Sequence, residues 1–132
     1  MSQENVEIVR RFERSWSRQD LDAALECVDS EMEFDWSDSM GPFRGTYKGH
    51  EGIAEFWAQM LDAWEHFSPE MEEAIECGAE DLITVDVVRA QGKGSGVPIE
   101  ARGAMLWTLR DGKIVRAKMF QTKEEALEAV RK

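Results

Sequence analysis

The sequence predicts an α+β domain in which helices cover one face of a curved antiparallel sheet, and three observations carry that prediction. The first is ARGAMLWTLRDGKIVRAKMF, residues 101–120, where Asp111-Gly112 joins two apolar runs. A type I′ turn needs positive φ at both central positions, so this pair is the strongest short-range hairpin signal. The second is residues 51–66, where Ile53, Phe56, Trp57, Met60, Leu61 and Trp64 form one helical stripe wide enough to lie across a sheet. The third is the order of patterns: helix, helix, strand, helix, then three or four antiparallel strands and a last helix.

Taken in order, residues 3–18 set Val6, Val9, Phe12, Glu13 and Trp16 at helical spacing, with Ser2 as the N-cap. Asp20 starts a second helix that carries Leu21, Ala24, Leu25 and Val28 on one face. Met32, Phe34 and Trp36 alternate with Glu33 and Asp35, a short strand with its rings on the covered side. Residues 37–49 dissolve into a Gly-rich connection containing Pro42. The third helix follows, flanked by His50 and His66 and stopped by Pro69; His66 suits the negative end of its dipole. Met71 to Cys77 fits either period, because Glu72, Glu73 and Glu76 are poor strand formers, and topology alone assigns it to a strand. Leu82 to Gln91 is a strand with Thr84, Asp86, Val88 and Ala90 on one face and Ile83, Val85, Val87 and Arg89 on the other. Gly92 to Gly96 is a hairpin loop: its lysine lies outside a Walker pattern and no helix follows. Thr122 and Glu125 have capping-box spacing at the start of a closing helix whose apolar side is Ala126, Leu127 and Val130.

The 132 residues make one domain, residues 1–132, with 42% hydrophobic and 33% charged content. No apolar run approaches the roughly 20 residues of a membrane helix, and MSQENVEIVRRFERSW lacks the apolar core of a secretory signal. A cytoplasmic location is expected. The net charge of −11 repels phosphate backbones and anionic lipid, so neither nucleic acid nor membrane is an expected partner. Cys27 and Cys77 lack the spacing of a zinc site and read as free thiols. The acidic run from Glu70 to Glu80 lacks the pattern of a calcium loop, so no metal is expected.

SQENVEIVRRFERSW, QDLDAALECVDSEMEFDW, KGHEGIAEFW, GKGSGVPIEARGAMLWTLRDGKIVRAKMF and the final EEAL together resemble the SnoaL-like branch of the nuclear-transport-factor-2-like superfamily. The resemblance covers essentially the full chain. It implies a cone-shaped fold, a curved antiparallel sheet wrapped by three or four helices around a pocket, and no cofactor. It leaves activity open, because this fold hosts isomerases, cyclases, epoxide hydrolases, dehydratases and transport factors. Where ketosteroid isomerases carry a tyrosine and two carboxyl groups, this chain aligns Phe12, Trp36 and Met105. Where limonene-type epoxide hydrolases carry aspartate, arginine and aspartate, it aligns Val88, Asp86 and Met119. Neither set transfers over. The aspartate and histidine on which the polyketide cyclases of the branch rely have no counterpart near Met105 and Met119.

Asp86 is the first candidate for chemistry, since a carboxylate among Trp and Met side chains has its charged form disfavoured by desolvation. The competing reading leaves it near the rim or paired with Arg102 or Lys118. Asp35 and His50 are further catalytic candidates. Phe12, Trp16, Trp36, Phe56, Trp57 and Met60 are candidates for the pocket wall, with Val88, Met105, Trp107 and Met119 opposite and Tyr47 able to offer a hydroxyl. The functional expectation is a pocket for a small apolar or aromatic molecule, serving isomerisation, cyclisation or hydration by proton transfer if it is catalytic. The alternative is a non-catalytic dimerisation or interaction domain with the cone filled and Asp86 turned to solvent. Val85, Val87, Ala104 and Leu106 make the outer sheet face apolar, which points to a homodimer.

Overall fold

The computed structural model describes residues 2–39 and 44–131, without the side chain of Ser2. The Ser2 cap and Pro42 therefore lie outside what is described. Two helices, α1 (Ser2–Ser17) and α2 (Leu21–Glu26), precede strands β1 (Val28–Asp35) and β2 (Thr46–Lys48). Helix α3 (Gly49–Ala63) leads into β3 (Trp64–Glu76), β4 (Asp81–Gly92), β5 (Pro98–Arg110) and β6 (Lys113–Phe120), and α4 (Lys123–Arg131) closes the chain. The six strands form one curved, unclosed sheet in the order β2-β1-β6-β5-β4-β3. Every pair is antiparallel except β1 with β6, which run parallel.

Local sequence signals set most boundaries. Asp111 and Gly112 sit at φ 53° and 76°, the left-handed pair a type I′ hairpin requires. Asp20 caps α2 by accepting from the amide of Ala23 at 3.1 Å. Thr122 and Glu125 cap α4 reciprocally: the Glu125 amide donates to Thr122 Oγ1 at 3.2 Å, and the Thr122 amide donates to Glu125 Oε1 at 3.1 Å.

The turn from α3 to β3 departs from expectation. The helix ends at Ala63, so Trp64 leaves the helical stripe and His66 stands in a strand rather than at a helix terminus. Trp64 already has extended angles, φ −123° and ψ 136°. It opens a 13-residue strand paired with β4 from Trp64↔Gly92 to Glu76↔Leu82. That ladder outweighs the helical spacing of two or three side chains. Pro69 lies inside β3, opposite Val88, and is tolerated because β3 is an edge strand.

Two apolar clusters hold the layers together. The larger joins α1, α2 and α3 to the inner sheet face through residues such as Val9, Phe12, Met32, Ile53, Phe56, Trp107 and Ile114. The smaller packs α4 on the outer face, where Ala126, Leu127 and Val130 meet Ile83, Ala104, Leu106 and Phe120. Among the described residues no helix is long and apolar enough to cross a membrane.

Candidate functional site

Between α1, β1, α3 and the inner face of β3 to β6 lies a cavity of about 90 Å³, partly open to solvent. Its wall is aromatic and aliphatic, with Phe12 and Trp16 from α1, Phe34 and Trp36 from the first strand region, and Phe56 from α3. Val88, Met105, Trp107 and Met119 line it from the sheet, with Phe67 and Pro69 at the β3 edge. Strand alternation explains the sheet side, since Thr84, Asp86 and Val88 share a face with Met105 and Trp107 across the β4–β5 ladder.

Two acidic side chains interrupt this wall. Glu13 and Asp86 are 6% and 5% exposed and are hydrogen-bonded to each other. Burial, then the bond and charge of Asp86, push the Glu13 carboxyl up to about 10. Burial also raises Asp86, opposed by hydrogen bonds from Glu13 and Thr84. Asp86 Oδ2 accepts from Thr84 Oγ1 at 2.7 Å, and Thr84 Oγ1 accepts from Trp107 Nε1 at 2.8 Å. Asp86 Oδ1 is buried and has no hydrogen-bond donor among the described residues. The bond between the two carboxyls pushes Glu13 further up and opposes the rise of Asp86, so Glu13 is the member of the pair that favours the proton. Among the described residues the buried Trp36 Nε1 is also without a partner, so two residues of the wall carry a polar atom with no hydrogen bond, one a donor and one an acceptor.

The chain Trp107–Thr84–Asp86 fixes which Asp86 oxygen remains for the cavity. Thr84→Val keeps the side-chain shape but leaves the Trp107 N–H and Asp86 Oδ2 unsatisfied. It is expected to lower the free energy of unfolding by about 2–4 kcal/mol, read from urea denaturation. A loss below about 0.5 kcal/mol would mean that this chain contributes nothing to the site's order.

The other candidates from sequence fall in different places. Asp35 is 7% exposed, on the face opposite Phe34. It accepts from the Ser37 amide at 2.9 Å and the Ser37 hydroxyl at 2.6 Å, and lies 3.3 Å from Lys118 Nζ. Its burial favours the neutral acid, but the Ser37 and Lys118 contacts win and hold the carboxyl below its ordinary range. His50 Nε2 lies 3.2 Å from the carbonyl of Val28, beside a separate surface depression lined by Ser30, Glu31, Glu33 and Lys48. Tyr47 donates to Gln59 Oε1 at 3.3 Å, and its ring meets Phe56 edge-on. Trp57 and Met60 are buried behind the wall, Trp57 stacked on Trp16 at 4.0 Å; neither they nor Tyr47 line the cavity. Lys118 pairs with Asp35 and Asp38, and Arg102 with Glu72 and Glu100, so neither reaches Asp86.

Glu13, Phe34 and Phe67 are cavity residues that the sequence did not single out for the site. A signal for Glu13 was present: it occupies the buried stripe of α1, four residues after Val9 and three before Trp16. A carboxylate at such a position needs a partner inside the fold. Among the described residues no group of three or more His, Cys, Asp or Glu side chains is placed to hold a metal.

Comparison with known proteins agrees with this architecture. A protein with a ketosteroid isomerase-like fold from Catenulispora acidiphila, in complex with trimethylamine, superposes with a TM-score of 0.76 at 18% identity, over 92% of this chain and 90% of that one. TerC co-crystallised with polyporic acid gives 0.79 at 20% identity, over 98% and 99%. A Mycobacterium tuberculosis protein in complex with estradiol-17beta-hemisuccinate gives 0.76 at 16%, over 92% and 95%. No curated protein sequence matches the chain. The profile described as "SnoaL-like domain" matches residues 9–117, a span that runs from α1 to β6 and contains both acids of the cavity. The chain belongs to the SnoaL-like domain family.

Proposed function

We propose that this protein binds a small apolar or aromatic metabolite in the cavity and that the Glu13–Asp86 pair is its proton-transfer group. One observation carries the reading: a hydrogen-bonded carboxyl pair, nearly completely buried, stands on an otherwise apolar wall. Ionisable groups are placed in such surroundings at a cost, and the surroundings tune them toward neutral pH chemistry. The pair offers a proton on Glu13 and a basic oxygen on Asp86, which suits moving a proton between two atoms of one ligand, as in isomerisation, cyclisation or hydration. The unpaired Trp36 N–H supplies a donor for a carbonyl or hydroxyl oxygen. Neighbours crystallised with small molecules support a ligand pocket.

Cavity size narrows the ligand. A hydrocarbon-lined cavity of about 150 Å³ accepts benzene, and the volume here is about 90 Å³. A ligand as large as one ring therefore already has to displace Met105 or Met119, which are the most adaptable side chains of the wall. Native mass spectrometry against a metabolite library, repeated with Asp86→Asn, tests the proposal. Retained ligand with wild type, together with loss of any turnover in Asp86→Asn while the fold persists, is the expected result. An empty cavity across the library would overturn it.

We further propose a homodimer through the outer face of the sheet. Of the apolar residues on that face, Ala104 and Leu106 meet α4 of the same chain, which leaves the region around Val85, bordered by Arg89, Arg102 and Glu72, for a second copy. Light scattering after gel filtration should read twice 15.1 kDa.

A further inference from the structure

The cavity closes around two acids that no cation of the described residues pairs with. Glu13 and Asp86 stand in its wall as two buried acids, and a cation drawn against them favours the ionised form of Asp86. Among the described residues no lysine, arginine or histidine forms an ion pair with either carboxyl. Arg10 lies close enough to influence Glu13, yet its guanidinium goes to Glu7 at 3.3 Å on the exposed side of α1. Arg89 and Arg102 are committed to Glu70, Glu72 and Glu100. Glu70 and Glu72 also act on the pair, and both add negative potential.

Burying a carboxylate without a counter-ion is costly, and Asp86, a wall residue, has no donor to its Oδ1 among the described residues. An anionic ligand would compound that cost. A neutral hydrocarbon would leave it in place. A strongly hydrated point charge such as sodium would gain little from walls of Phe12, Trp16, Trp36, Phe56 and Phe67. An organic cation whose charge is spread over alkyl groups meets both features, the anion by Coulomb attraction and the aromatic rings through their quadrupoles.

We propose that the ligand of this cavity is a compact organic cation of the methylated-ammonium class, its charged centre against Asp86 and its alkyl groups against the aromatic wall. The inference rests on the preceding reading of the cavity as a ligand site, keeps the alkyl contacts of an apolar ligand and replaces its neutral centre with a charged one. The unpaired Trp36 N–H would take an oxygen substituent on the same molecule.

The test compares two probes of one shape. Choline and 3,3-dimethylbutan-1-ol differ by the replacement of a quaternary nitrogen with carbon, and both can be titrated by tryptophan fluorescence at constant ionic strength. Choline is expected to bind at least tenfold tighter to the wild-type protein. Asp86→Asn should abolish that preference, and Glu13→Gln, which keeps the Asp86 carboxyl, should preserve it. Equal or tighter binding of the alcohol to wild type would overturn the cationic assignment and leave the ligand-site reading standing. If neither probe binds and the metabolite library is also empty, both readings fall. A choline preference that survives Asp86→Asn would likewise overturn the role given to this carboxylate.

Discussion

Glu13→Gln is expected to flatten a fall in stability that the wild-type protein shows from mildly acidic to alkaline pH. The unfolded chain ionises Glu13 near the ordinary value of 4.5, whereas the folded protein holds its proton up to about 10. Below 4.5 both states are protonated and the folded state bears no penalty. Between 4.5 and about 10 the folded state binds a proton that the unfolded state has released, so stability declines as pH rises, by at most about 1.4 kcal/mol per pH unit. Asp86, also raised, adds the same sign above its ordinary value of 3.8. Arg10, Glu70, Glu72 and Thr84, the other groups acting on the pair, are common to wild type and variant and do not create the difference. Glutamine retains an N–H that can donate to Asp86 and has no proton to lose. Melting temperatures measured at half-unit steps from pH 5 to pH 9 should therefore diverge, with the variant ahead at the alkaline end. Parallel profiles would show that Glu13 ionises inside the fold at an ordinary pH.

Trp16→Ala is expected to cost about 3–5 kcal/mol, enough to unfold a domain of ordinary stability. The indole is 6% exposed and is the hub of the ring cluster. It stacks on Trp57 at 4.0 Å and meets Phe12, Phe56 and Phe67 edge-on at 6.2, 5.8 and 5.6 Å. Each such pair contributes about 0.5–1.5 kcal/mol beyond the area it buries. Because Trp16 also lines the cavity, its removal enlarges a void that is already present. Urea denaturation should show a lower midpoint with an unchanged slope. A loss under about 1 kcal/mol would mean that the surrounding rings collapse into the space, and that the cavity is not held by Trp16.

The contrast between these two residues shows what the sequence could disclose. Trp16 stood on a recognisable stripe, and its burial followed from helical spacing. Glu13 stood on the same stripe, but its partner is 73 positions away on β4, and nothing local brings α1 to that strand. Asp86 was legible because period-two alternation in Leu82 to Gln91 put it on the same face as Val88 and Ala90. The hairpin at Asp111-Gly112 and both capped helices were legible because turn and cap chemistry act within four residues. β2 was missed because three residues carry too little pattern, and the parallel pairing of β1 with β6 joins segments too distant to register locally. The helix-to-strand change at Trp64 lacks a glycine or proline to announce it, so the β4 ladder alone marks it.

β3 was the hardest element to read because of its glutamates, and those glutamates have a use. The strand is 13 residues long and lies at an open edge of the sheet, where unpaired backbone groups invite another chain to add on. Glu65, Glu70, Glu72, Glu73 and Glu76 line it, and Pro69 removes one donor from its middle. Any incoming strand meets a row of charged side chains, Glu70, Glu72 and Glu73 in ion pairs and Glu65 and Glu76 outside those of the described residues, and a residue that cannot donate to it. The same device weakens in acid: near the isoelectric point of about 4.6 the net charge, and with it the repulsion between copies at this edge, falls to zero.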